Sequence, residues 1–172
     1  MNHLILGGAR SGKSRLAEER AAAVGAGGVV YVATATAGDG EMAERIARHQ
    51  ADRPPEWGLV EEPVSLGRVL REEARHGRCL LVDCLTLWLS NLLTAGEETL
   101  ARERADFLAA LEVVTGDVLL VSNEVGQGVV PADPLSRRFV DEAGRLHQAV
   151  AARCERVTFV VAGLPWALKG PA

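Results

Sequence analysis

A chain of 172 residues, 48% hydrophobic and 24% charged, has the size of one domain and enough apolar material for a full core, which excludes a disordered chain and a two-domain enzyme. Its 19 basic and 23 acidic residues leave a formal charge of −4 and a pI near 5.6, so no global positive field holds nucleic acid or an anionic membrane, and any anion must be bound locally. No run approaches the ~20 apolar residues of a membrane span, and the opening Met1 to Leu6 lacks a basic segment, so no membrane span and a cytoplasmic location are expected.

The first predicted strand, His3 to Leu6, runs into Gly7-Gly8-Ala9-Arg10-Ser11-Gly12-Lys13-Ser14, which satisfies G-x-x-x-x-G-K-[ST] between a strand and a helix. Such a loop wraps backbone N–H groups around a β-phosphate at the positive end of the following helix, and glycine is needed where a side chain would block the approach. Lys13 can reach the β- and γ-phosphate oxygens, and the Ser14 hydroxyl can ligate Mg²⁺. Lysine occurs only here and at Lys169, the other basic residues being arginine.

The helix Lys13 to Val24 stops at Gly25-Ala26-Gly27-Gly28, a turn before the second strand, Val29 to Ala33. That strand ends in Ala33-Thr34-Ala35-Thr36. A helix over residues 41 to 50 places Met42 and Ile46 inward and Arg45 and His49 together at i and i+4, with Arg48 and Arg53 nearby. By its residues alone this is a solvated helix laced by Glu41/Arg45 and Glu44/Arg48 pairs, or one that carries a phosphate ligand or nucleophile in His49.

A helix over residues 64 to 75 leads to the strand Cys79 to Val82, which ends in Asp83, a candidate partner for the Ser14 magnesium or a cap for the next helix. In that helix Leu85, Trp88, Leu89, Leu92 and Leu93 form an apolar stripe for core packing or a subunit contact. After a helix over residues 97 to 115 and the strand Val118 to Val121 comes the polar loop from Ser122 to Gly128. It is long for a plain connection and able to close over a substrate, with Glu124 either positioning a hydroxyl or metal, or a solvated acid. A helix over residues 134 to 154, with Leu135, Phe139, Leu146 and Val150 on one side, and the strand Val157 to Val161 complete the pattern. His3, His76 and His147 have no comparable company, and Cys79, Cys84 and Cys154 lack metal-ligand spacing and read as reduced, buried thiols, with no disulfide or zinc site expected.

Short apolar runs alternating with helices predict a mainly parallel sheet covered by helices, α/β in class, over residues 1–172 as one domain. Ligands of such sheets sit beyond the carboxyl ends of the strands.

The phosphate loop, Tyr31-Val32-Ala33-Thr34, Glu41-Met42 through His49 to Arg53-Pro54 and Trp57, Asn123-Glu124-Val125-Gly126 with Val130-Pro131, and Asp141 through Ala143-Gly144-Arg145, taken in order, resemble the bifunctional adenosylcobinamide kinase/adenosylcobinamide-phosphate guanylyltransferase family of cobalamin biosynthesis, over essentially the whole chain. The resemblance implies a RecA-like P-loop NTPase fold with helices on both faces, and two reactions on it. The first transfers the γ-phosphoryl group of ATP or GTP to adenosylcobinamide; the second passes GMP from GTP, through a guanylylated histidine matched by His49, to adenosylcobinamide phosphate. It further implies that Ala33, Thr34, Ala35, Gln50, Ala51, Asp52, Arg53, Glu61 and Asp83 contact the guanine nucleotide, with Glu62 the alternative to Glu61 after a one-residue slip, and that the protein is a homotrimer. The competing readings are a one-reaction P-loop kinase of a small hydroxyl compound and a nucleotide-binding regulator or assembly ATPase, for which Arg137 and Arg138 could act across an interface.

Overall fold

The computed structural model describes residues 1–35 and 54–171. Seven strands, β1 (Asn2–Gly7), β2 (Val29–Ala33), β3 (Gly58–Glu61), β4 (Cys79–Asp83), β5 (Asp117–Asn123), β6 (Arg156–Val161) and β7 (Leu164–Lys169), share one sheet in the order β3-β2-β4-β5-β1-β6-β7. The first six are parallel, and β7 runs antiparallel along β6. The described helices are α1 (Lys13–Val24), α2 (Leu66–Glu73), α3 (Leu85–Ala95), α4 (Glu97–Val113) and α5 (Pro134–Arg153).

Side chains alternate across each strand, so the apolar runs feed two cores. Leu4, Val30, Val32, Leu80, Val82, Val118 and Leu120 face α2, α3, α4 and α5, while Ile5, Tyr31, Leu81, Leu119 and Val121 meet Ala17 and Ala21 of α1 on the other side. Helices therefore cover both faces of the sheet, as the alternating pattern requires. The small residues of α1 let it lie close to the strands, which brings its amino terminus over the end of β1.

The α3 stripe is core. Leu85, Trp88, Leu89 and Leu92 are all buried, and the Trp88 ring lies 4.8 Å from Phe107 of α4 at 55°, with its indole N–H donating to the Val64 carbonyl at 2.6 Å. These four residues of the stripe pack within the chain, and Leu93 is partly buried at its margin. α5 starts at an Asp133 cap, whose carboxylate accepts the Ser136 N–H at 2.8 Å, with Pro134 in the first turn; such a cap contributes about 1 kcal/mol.

Some expectations are corrected. β3 and β7 are strands that the sequence pattern did not reveal: β3 is a four-residue edge strand, and Pro165 in β7, which argues against a central strand, is tolerated because β7 is an edge. The helix expected from residue 64 begins at Leu66, because the Glu62 carboxylate draws the Val64 and Ser65 N–H groups into a turn first. Leu135 stands 68% exposed, since the first turn of α5 overhangs the core that Leu146 and Val150 enter. The helix expected over residues 41 to 50 lies outside the described residues.

Cys79, Cys84 and Cys154 are buried free thiols, pushed up by burial to about 12, 11 and 12 respectively. Among the described residues no helix is long and apolar enough to cross a membrane.

Phe107→Ala is expected to lower the unfolding free energy by about 3–5 kcal/mol in urea titration, because it opens a cavity against Trp88. His3, buried with Nε2 2.8 Å from Thr158 Oγ1, is pushed down to about 4 by burial and by the charges of Arg20 and Arg156. Below pH 6.5 the unfolded chain takes up a proton that the folded protein refuses until about pH 4, so stability falls across that window. Urea midpoints of the wild type and of His3→Gln, whose side chain does not titrate, are therefore expected to converge as the pH is lowered from about 7 to about 5.

Candidate active site

The carboxyl ends of the six parallel strands open on one edge, and the register places the functional residues along it. Gly7 of β1 pairs with Asn123 of β5 on one side and Val160 of β6 on the other; Asp83 of β4 pairs with Ala33 of β2, and Ala33 in turn with Glu61 of β3. β5 separates the strand of the phosphate loop from that of Asp83, so these stand two strand spacings apart, about 10 Å. Glu61, four spacings from β1, is about 19 Å away.

The loop from Gly7 to Ser14 is shaped by close approach. A side chain at Gly7 would place Cβ 2.4 Å from Ser11 Oγ and 2.7 Å from the Val160 carbonyl, so only glycine fits. Gly12, at the amino end of α1, has φ 93°, a left-handed turn that aims the first helical N–H groups into the loop. The loop is backed by the β6–β7 hairpin, whose tip residue Gly163 donates its N–H to the Ser11 carbonyl at 2.8 Å. Ala9 and Arg10 are exposed, Gly8 and Ser14 half-buried, and Ser11 and Lys13 buried.

Lys13 Nζ donates to the Gly8 carbonyl at 3.2 Å. Burial pushes the Lys13 ammonium below its usual value, and the negative charge of Asp83 acts the other way, which means that the two groups feel each other across the β5 end. Asp83 does not cap α3: the residue before the helix is Cys84, and no side chain caps it. The carboxylate is thus left for the edge, with Ser14 on the adjoining α1. A Ser hydroxyl and one acid suit Mg²⁺, which takes most of its remaining ligands from water and substrate phosphates.

Two buried side-chain atoms lack a hydrogen-bond partner among the described residues, Ser11 Oγ and Asn123 Oδ1. Leaving such an atom unsatisfied costs about 1–3 kcal/mol, and both adjoin Gly7, where a polyanion would lie. The loop is therefore incomplete in the way that a phosphate would complete.

Beyond β2, Thr34 is fully buried; its hydroxyl donates to the Cys84 carbonyl at 2.7 Å and accepts the Cys84 N–H at 3.0 Å, while its carbonyl accepts from Asn91. It clasps β2 to β4, so its side chain is already paired. Glu62 is spent as well. Burial would raise its carboxyl, but the Ser65 and Val64 N–H groups and the Arg68 guanidinium, 2.6 Å away, together hold it below the usual range. Glu61 is exposed at the strand end. His49, Gln50, Ala51, Asp52 and Arg53 lie outside the described residues; the chain leaves the described part at Ala35, on the same edge.

A buried polar network was missed in the sequence. His147 Nε2 meets Ser122 Oγ at 2.8 Å, its Nδ1 lies 3.8 Å from Glu124, and Thr86 Oγ1 meets Ser122 Oγ at 3.2 Å and accepts the Asn123 N–H at 2.7 Å. Burial lowers the His147 imidazole while Glu124 opposes it. A histidine on an apolar helix face gives no linear signal of this, because its partners come from β5 and α3. Glu124 accepts the Gly126 N–H at 2.6 Å, and its own N–H donates to the Gly7 carbonyl at 3.0 Å, so it ties the loop after β5 to the phosphate loop. Arg137 is held by the Pro131 and Ala132 carbonyls, and Arg138 by Glu97.

A glycine-bearing phosphate loop on a central strand, with an acid two strands away on the carboxyl edge of a parallel sheet, defines a P-loop nucleotide-binding protein of the α/β class. Residues 3–168 match the family described as cobinamide kinase / cobinamide phosphate guanyltransferase, and the chain belongs to it. It is thus a kinase and guanylyltransferase enzyme of cobalamin biosynthesis. It is 63% identical over 171 residues to the bifunctional adenosylcobalamin biosynthesis protein CobP of Pseudomonas aeruginosa, covering 99% of this chain and 98% of that one. Bifunctional adenosylcobalamin biosynthesis proteins CobU of Escherichia coli and Salmonella typhimurium are 38% and 40% identical, each over 94% of this chain and 96% of their own.

Gly7→Ala is expected to lower the melting temperature by several degrees, the clash with backbone costing about 1–3 kcal/mol, whereas Gly8→Ala, whose Cβ meets nothing within 4 Å, leaves it unchanged; thermal denaturation of the two variants checks this.

Proposed function

We propose that residues 1–172 form one nucleotide-binding domain that phosphorylates adenosylcobinamide with ATP or GTP and then transfers GMP from GTP to adenosylcobinamide phosphate through a guanylylated His49. The reading rests on family membership, and the observation that carries it to particular residues is the phosphate loop, with the unpartnered buried Ser11 Oγ in it and Asn123 Oδ1 on the strand paired with Gly7. A single sheet holds every described strand, which supports one domain.

In the kinase step the acceptor hydroxyl oxygen bonds to the γ-phosphorus, the β–γ bridge breaks with its electron pair leaving on the nucleoside diphosphate, and the hydroxyl proton passes to solvent. The residues from Gly7 to Ser14 hold the phosphates through backbone N–H groups, and Lys13 neutralises charge on the β- and γ-oxygens. Mg²⁺, held by Ser14 and Asp83, would supply further neutralisation of phosphate charge when bound.

In the guanylyl step a neutral imidazole nitrogen of His49 bonds to the α-phosphorus and pyrophosphate leaves with the electron pair of the α–β bridge. A phosphate oxygen of adenosylcobinamide phosphate then bonds to the same phosphorus, and the phosphorus–nitrogen bond breaks to give adenosylcobinamide-GDP. Splitting the transfer lets a weakly nucleophilic phosphate ester meet an activated phosphoramidate. Ala33, Ala35, Gln50, Ala51, Asp52, Arg53 and Glu61 are assigned to the guanine nucleotide, with the Thr34 contact made by its backbone. The span of about 19 Å between the phosphate loop and Glu61 supports two phosphate registers on one edge, one for each reaction.

A homotrimer is proposed with these sites. Leu164, Trp166 and Leu168 alternate along the edge strand β7 at 71%, 66% and 53% exposure, an apolar surface that a second copy would cover. A cytoplasmic location follows from the supply of ATP and GTP there.

Incubation with Mg²⁺ and GTP labelled at the α-phosphate is expected to leave acid-labile, alkali-stable label on the denatured chain, absent from His49→Ala. Lys13→Ala is expected to slow phosphoryl transfer roughly 100-fold or more. A folded, GTP-binding protein that takes up no label would overturn the guanylyl assignment.

A further inference from the structure

We propose that Asn123 is a catalytic residue of the kinase step, whose side-chain amide contacts the γ-phosphoryl group in flight. The inference rests on the phosphoryl-transfer reading above.

β5 lies between the strand of the phosphate loop and the strand of Asp83, and Asn123 is its last residue, paired with Gly7. A phosphoryl group held by Lys13 between the phosphate loop and Asp83 would lie over the end of this strand. The only side chain that β5 itself presents between Gly7 and the loop beyond is that of Asn123.

The second observation is how firmly this residue is mounted. Its N–H is taken by Thr86 Oγ1 at 2.7 Å; the preceding Ser122 hydroxyl is fixed by His147 and Thr86, and the following Glu124 N–H by the Gly7 carbonyl. Thr86 belongs to the first turn of the helix that follows Asp83, so the mount joins the acid's helix, the central strand and the phosphate loop. Yet the Asn123 amide makes no hydrogen bond among the described residues, and its Oδ1 is buried. The backbone N–H groups of Asn123 and Glu124 are both satisfied, and the Asn123 Oδ1 is not. A structural asparagine is held by its amide; here the surroundings hold the residue and leave the amide over.

An asparagine amide can turn to present either NH₂ or oxygen. With NH₂ toward the edge it donates to an equatorial γ-oxygen, neutral and preorganised, where charge spreads during transfer. The other buried unpartnered atom, Ser11 Oγ, also neighbours Gly7, 2.4 Å from where a Cβ on that residue would stand.

Asn123→Leu keeps the volume without the dipole, and Asn123→Asp keeps the shape but replaces the donor with a negative oxygen. Both are expected to lower kcat for phosphorylation of cobinamide roughly 100-fold, with KM for the nucleotide and the melting temperature little changed. Retained kcat in either variant would overturn the proposal, as would a loss matched by a drop in melting temperature in both, which marks a structural amide. If the wild type itself phosphorylates no cobinamide, the phosphoryl-transfer reading fails first and takes this one with it.

Discussion

A protein of net negative charge can hold a triphosphate only if donors without competing side chains converge on it, and the bare backbone of the phosphate loop meets that requirement. The demand spreads outward. Gly7 has no room for a methyl group because Ser11 and the Val160 carbonyl close in on it, and α1 comes near enough to aim its amino terminus only because Ala17 and Ala21 present little bulk to the sheet. The order of strands then places an acid at a fixed reach from the loop, with a single strand between.

The site is assembled from ends, and what sets the ends is mostly invisible in it. Thr34 spends its hydroxyl on Cys84, Glu62 spends its carboxylate on the turn before α2, and His147 reaches from α5 to brace β5. Each is a polar group that burial would penalise alone and that is paired instead with backbone or hydroxyl partners. These residues look chemically available in the sequence, and the fold has already used them.

This explains what could be read from the residues alone. Five of the seven strands and the described helices follow from apolar runs and periodicity, because a buried parallel strand must be apolar on both faces; the two that escaped are edges, where that demand lapses and even Pro165 is admitted. The phosphate loop was legible because backbone contacts constrain consecutive residues. The Ser122, Thr86 and His147 network was not, since its members are joined only by topology. That Trp88 of the Leu85 to Leu93 stripe packs into the core likewise needed the position of Phe107.

The hairpin behind the phosphate loop also bears on how the molecule is made. β1 is synthesised early, yet both of its neighbours, β5 and β6, and the Gly163 tip that braces Ser11, come from the far half of the chain; the Asn2 N–H finds its carboxylate partner 153 residues later. On the ribosome the phosphate loop therefore emerges before the strands that flank it, and β1 stays unpaired in the interval. A nucleotide that binds only the finished loop would reward completion of the sheet.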